Sequence, residues 1–155
     1  MASTGDLIRR RNVALFGLSA NPPTGDTGHV GIVRSLVASG EFVEIWVMPV
    51  YVHIYETKRD LVSYDDRMEM CRLCMEQEST DACKVKVTDI EKEVYEWCCK
   101  NRKNRNTTVR VGSIDVLLHI QKKHPDIDMH LVLGADTFTD LAAGKWKDSD
   151  RFVCI

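Results

Sequence analysis

Twice in this chain a buried strand breaks into a small-residue loop and then a helix, and each break carries a side chain suited to phosphate or ribose chemistry. The first reads Val13-Ala14-Leu15-Phe16-Gly17-Leu18-Ser19-Ala20-Asn21-Pro22-Pro23-Thr24-Gly25-Asp26-Thr27-Gly28-His29. Its apolar opening predicts a strand covered on both faces, and Gly17 with Asn21-Pro22-Pro23 ends it. From about Thr27 the apolar spacing turns helical through Val30, Val33, Leu36 and Val37. Such a junction places free main-chain N–H groups and the positive end of a helix dipole where a phosphate could sit. His29, in the first helical turn, would point at it. No Gly-Lys-Ser/Thr closes the loop and no GxGxxG occurs, so neither common phosphate motif is present. The second break follows Met129-His130-Leu131-Val132-Leu133 and reads Gly134-Ala135-Asp136-Thr137.

A frame must bring the two breaks together. Periodicity predicts strands near 12–16, 42–50, 85–87 and 129–133, with helices from about 27 to 38, from Ser63, and from Ser113 to a stop before Pro125. Asp65 and Asp66 in the first turn after Ser63 favour a helix start. The expected inner face of that helix is Met68, Cys71, Leu73, Cys74 and Met75. Strand and helix alternate without a hairpin signal, which argues for parallel strands and right-handed crossovers. In such a sheet the loops after the first and fourth strands flank one crevice where the topology reverses. Residues 90–108 show the least regular pattern. Within them Lys100-Asn101-Arg102-Lys103-Asn104-Arg105-Asn106 reads as a solvated insertion, with Trp97 the one aromatic near enough to stack on a base.

The 155 residues suit one domain, and a net charge of -2 predicts no general attraction to nucleic acid or to a membrane. The six cysteines form no disulfide framework, and residues 1–12 are polar, with Arg9-Arg10-Arg11. A reducing, cytoplasmic compartment is expected, with the nucleus open as well. Cys71-Arg72-Leu73-Cys74 has zinc-like spacing, but Cys98 and Cys99 are adjacent rather than a second ligand pair. Both are expected to serve as small apolar residues of a helix.

Gly17, Asn21-Pro22-Pro23 and Gly28-His29 opening a helix resemble the (H/T)xGH signature of the nucleotidylyltransferase superfamily. Within it they are most similar to the nicotinate/nicotinamide mononucleotide adenylyltransferases. Leu133-Gly134-Ala135-Asp136-Thr137-Phe138, with Leu141 and Lys145-Trp146-Lys147, is similar to the family's GAD-x-x-x-x-L…W pattern. Ser113 to Leu117 resembles the helix before that strand, and Pro49, Lys58 and Arg67-Met68 match the segment after the second strand. Two departures stand out. Asp26 occupies the place of the family's first histidine or threonine in a loop about two residues longer, which could carry Asp26 away and offer Thr24 or Thr27 instead. The family also has a C-terminal helical part with an Ile-Ser-Ser-Thr-x-x-Arg-like motif. Nothing here matches that motif, and Phe152-Val153-Cys154-Ile155 reads as the start of a fifth strand.

The resemblance implies a Rossmann-like α/β fold: a doubly wound parallel sheet of about five strands with helices on both faces. It implies transfer of an adenylyl group from ATP to nicotinic acid or nicotinamide mononucleotide, with Mg²⁺ as counter-ion of the phosphates and no metal ligand assigned to the protein. His29 and Lys58 would be catalytic, His29 donating to the α-phosphate and Lys58 meeting the acceptor phosphate or the departing pyrophosphate. Gly17, Leu18, Ser19, Asn21, Thr24, Asp26, Gly28, Gly134 and Asp136 would line the nucleotide, Asp136 holding a ribose hydroxyl or the metal shell. Arg67, Ser113 and Trp146 would bind the acceptor, the indole stacking on its pyridine. The partners implied are ATP and a pyridine mononucleotide, with no nucleic acid and no membrane, and homo-oligomers are left open. Two rivals remain: a nucleotide-binding protein of reduced activity, and an adenylyl- or cytidylyltransferase for another phosphorylated acceptor such as phosphopantetheine.

Overall fold

A computed structural model describes residues 10–52 and 60–154 of the chain, with side chains to Phe152. Its axis is strand β1 (Arg11–Leu18), whose side chains alternate between two apolar layers. Ala14, Phe16 and Leu18 face one layer, while Val13 and Leu15 face the other. That double burial explains the uninterrupted apolar run. Parallel strands β2 (Glu44–Pro49) and β4 (Ile127–Val132) flank β1, and β3 (Lys84–Val87) pairs with β2. The order β3-β2-β1-β4 makes β1/β4 the point where the winding reverses.

Helices α1 (His29–Ser39) and α2 (Tyr64–Met75) cover the first layer through Val30, Val33, Cys71 and Met75. Helices α3 (Ile90–Asn101) and α4 (Ser113–Lys123) cover the second with Ile90, Val94, Val116, Leu117 and Ile120. The short α5 (Ala135–Ala142) follows β4 directly. Gly40, left-handed at φ 71°, ends α1, and the Ser63 hydroxyl caps α2 by accepting the Asp66 N–H. Burial pushes the Cys71 thiol up to about 12, which leaves it an inert core group.

Several expectations need correction. The described residues form four strands. Residues expected to begin a fifth form instead a tight 3-10 segment, Ser149–Cys154. Positive φ at Gly144 and Asp148 turns the chain off the sheet, and Phe152 folds back edge-on to Trp146 and onto the second layer. Residues 90–101, read as irregular, make α3. Its buried Ile90 and Val94, with Cys98 packed beside them, follow a four-residue spacing that the surrounding charges obscured. Leu73, placed on the inner face of α2, is 70% exposed. Residues 101–108 are exposed throughout, as a solvated insertion would be.

Candidate functional site

The loop between β1 and α1 is tied up by its own hydrogen bonds. Gly28 and Gly31 N–H both donate to the Gly25 carbonyl, and Val30 N–H donates to the Thr24 carbonyl. His29 N–H donates to Thr24 Oγ1 at 2.9 Å. The free N–H groups expected of this helix start are therefore consumed within the loop. Residues 24 and 25 curl under the helix and supply the carbonyls. The imidazole is held from the same side: Thr24 N–H donates to Nδ1 at 3.0 Å, and Thr24 Oγ1 lies 2.9 Å from Nδ1. A Cβ at position 28 would overlap Thr24 Oγ1, and one at position 31 would overlap the Asp26 carbonyl, so both turns require glycine. The ring rests 6.0 Å from that of Phe16, and burial lowers its pKa below the ordinary 6.5.

Asp26, expected beside the nucleotide, points elsewhere. Its carboxylate pairs with Arg34 of α1 at 3.0 Å, and that guanidinium also holds Glu78 at 2.9 Å. The residue beside His29 is Thr24. Anionic repulsion at the phosphate position is thereby removed.

Beyond the sheet edge at β1 and β4 lies a cavity of about 420 Å³. Gly17, Leu18 and Ser19 form one wall, Leu131 to Leu133 with Asp136 and Thr137 another, and Ser113, Val116 and Leu117 of α4 a third. Trp146 closes it, and Val50 with Glu91 lines its far side. Phe16, under His29, is paired in register with the cavity-wall residue Val132. Six predicted positions on four stretches (Gly17 to Ser19, Ser113, Asp136 and Trp146) thus converge on one volume at the switch point. Gly134 is the N-cap residue of α5; no side chain caps that helix, and Asp136 in its first turn lines the cavity. Lys147 anchors the Trp146 segment by pairing with Asp115 at 2.8 Å, while Asp115 also accepts the Gly112 N–H at 2.8 Å. Gly112 is therefore the N-cap of α4, whose first residue is Ser113.

Two expected ligand-binding residues serve the frame instead. Arg67 is 2% exposed, and its guanidinium donates to the carbonyls of Ser19 at 2.9 Å, Val50 at 2.7 Å, Val62 at 3.0 Å and Tyr51 at 3.4 Å. These bonds commit four of its five N–H donors to pinning the ends of β1 and β2, and burial keeps the guanidinium away from an acceptor molecule. The Asn21 side chain accepts the Val62 N–H at 2.9 Å and reaches the Asp60 carbonyl at 3.4 Å, so it braces the loop. Lys58 lies outside the described residues. Glu91 was missed because α3 was missed. Burial pushes its carboxyl up to about 7, against a hydrogen bond from the Tyr51 main chain.

A family model described as cytidylyltransferase-like matches residues 16–153. The chain belongs to this nucleotidylyltransferase family. A protein of Anaeromyxobacter sp. (strain K), described as a probable nicotinate-nucleotide adenylyltransferase, is 30% identical over 145 residues, covering 94% of this chain and 67% of that protein. A Myxococcus xanthus protein of the same description is 27% identical, covering 90% of this chain and 62% of its own length. Nicotinic acid mononucleotide adenylyltransferase of Plasmodium falciparum, solved with NaAD, superposes with a TM-score of 0.66 at 17% identity, over 92% of this chain and 60% of that one. The same enzyme solved with APC gives 0.63 at 17% identity, over 91% and 58%. The Rossmann-like parallel α/β fold is thus the family's. The chain spans about two thirds or less of each of these proteins. Among the described residues, no helix is long and apolar enough to cross a membrane.

Proposed function

We propose that this family member transfers the adenylyl group of ATP to nicotinic acid or nicotinamide mononucleotide in NAD biosynthesis. The observation that carries this reading is the single cavity at the β1/β4 switch point, flanked by both motif-bearing loops and closed by Trp146. The naming of the Anaeromyxobacter and Myxococcus relatives supports the same acceptor class.

In this reaction a phosphate oxygen of the mononucleotide forms a bond to the α-phosphorus of ATP. The bond from that phosphorus to the bridging oxygen breaks, and pyrophosphate leaves with the electron pair. No covalent enzyme intermediate is needed, so positioning and charge stabilisation carry the rate. His29 donates to a non-bridging α-phosphate oxygen. Gly17, Leu18 and Ser19 form the floor under the nucleotide, with Thr24 and Gly28 shaping the His29 turn. Asp136, beside Gly134, accepts from a ribose hydroxyl, Trp146 stacks on the pyridine, and Ser113 lies within reach of the acceptor. Lys58 meets the acceptor phosphate or the pyrophosphate. Mg²⁺ would arrive on the triphosphate with its own waters and supply charge neutralisation of the phosphates, with Asp136 at the cavity placed to meet its water shell.

The test is pyrophosphate release by the purified chain with ATP and Mg²⁺, run in parallel with nicotinic acid mononucleotide, nicotinamide mononucleotide and phosphopantetheine. Release dependent on a pyridine mononucleotide and abolished by His29→Ala is expected. Release with phosphopantetheine alone, or ATP binding with no release at all, would replace this reading with one of its rivals.

A further inference from the structure

We propose that Thr24 is a positioning residue that locks His29 in the neutral tautomer carrying its proton on Nε2. The tautomer follows from hydrogen-bond roles alone; its kinetic consequence rests on the adenylyl-transfer reading. The Thr24 main-chain N–H, 3.0 Å from Nδ1, can only donate. Nδ1 must therefore present a lone pair, and the proton of the neutral ring sits on Nε2. The hydroxyl agrees. Thr24 Oγ1 accepts the His29 N–H at 2.9 Å, which leaves its own proton to donate to Nδ1 at 2.9 Å. Protonating Nδ1 would set its N–H against the Thr24 main-chain N–H, which cannot accept. Burial against Phe16 acts in the same direction and disfavours the cation, and no charged side chain contributes to that shift.

The consequence is a change in what this junction offers a phosphate. The N–H groups of Gly28, His29, Val30 and Gly31 are all used within the loop, and Asp26 is drawn off to Arg34. In place of those four main-chain donors the junction offers a neutral imidazole N–H held in direction by Thr24. The chemistry needs no more than that. The acceptor phosphate is largely ionised at neutral pH, its second pKa being about 6. No base has to remove a proton from it, and none passes through His29 as one P–O bond forms and the other breaks. Gly28 completes the device, since a side chain there would displace the Thr24 hydroxyl.

The experiment is ¹⁵N NMR of the full chain labelled at histidine, at pH 7.5, with the His29 signals identified by their absence from His29→Ala. The expected spectrum shows a protonated Nε2 and an unprotonated Nδ1 for this ring. Thr24→Val removes the hydroxyl but keeps the main-chain N–H, so the proton should stay on Nε2 while the ring is held less firmly; kcat should fall by about tenfold to a hundredfold with a smaller change in the KM for ATP, and Thr24→Ser should restore most of that loss. A proton on Nδ1 in the wild-type chain, or a Thr24→Val variant with kcat unchanged, overturns the proposal. An Nε2–H tautomer in a chain that turns over no acceptor supports the Thr24 assignment and overturns the adenylyl-transfer reading instead.

Discussion

The two strand-to-helix junctions that border the cavity solve the same problem in opposite ways. After β1, the loop curls back on itself, uses the first-turn N–H groups of α1 internally and leaves a side-chain donor, His29, to face outward. After β4, Gly134 leads into α5 without a capping side chain, so that helix keeps its own N-terminal donors beside Asp136 and Thr137 at the cavity. A helix start is therefore not by itself an anion site. The loop feeding it decides whether the donors are free.

Substitutions sharpen this contrast. The largest effect is expected at the first junction: His29→Ala should cut kcat by about a hundred- to a thousandfold, as loss of one preorganised donor does, while circular dichroism shows the fold retained. A deficit under fivefold would mean that main-chain donors carry the site at both junctions. Arg67→Met leaves the Ser19, Val50 and Val62 carbonyls without their donor, and a loss of about 3 kcal/mol in urea unfolding is expected, along with weaker binding of both substrates. Trp146→Ala should raise the acceptor KM by about tenfold while leaving that for ATP nearly unchanged, because stacking on a ring carries roughly 1–3 kcal/mol. Equal losses for both substrates would place the indole between them instead.

Protonation probes the His29 side directly. Its folded pKa is lowered, so in an NMR titration this ring should stay neutral until the pH falls below 6.5. The sign for stability follows: the unfolded ring takes up a proton first, and the His29 contribution is lost as the pH drops through and below that value. A midpoint above 6.5 would mean that an unseen anion faces the ring. Smallest of all should be Asp26→Asn. That carboxylate is an exposed partner of Arg34, so turnover should change by less than about twofold. A large gain or loss in rate would return Asp26 to the phosphate site.

How much of this was legible beforehand varied by element. The apolar run Val13 to Phe16 and the breaks at Gly17 and Gly134 located β1 and both junctions, because a strand buried on two faces and a glycine-led turn leave strong local marks. Helix α3 was obscured because its inner stripe of Ile90, Val94 and Cys98 is narrow and flanked by Glu91, Lys92, Glu93 and Lys100, and Glu91 went unnoticed with it. Arg67 looked like a ligand-binding cation. Nothing local to it reveals that four carbonyls from two loops surround its guanidinium.

The sequence by itself determined the alternation of strand and helix, the two glycine-led junctions, the histidine and aspartate they carry, and the family to which they belong. Those are properties of local spacing and residue type. Only the tertiary structure decided that Thr24 rather than Asp26 adjoins His29, that Arg67 and Asn21 brace the frame, and that the chain after Trp146 turns back instead of adding a strand. Each of these depends on where a donor finds its acceptor across a fold, and hydrogen-bond partners many residues apart leave no trace in local periodicity.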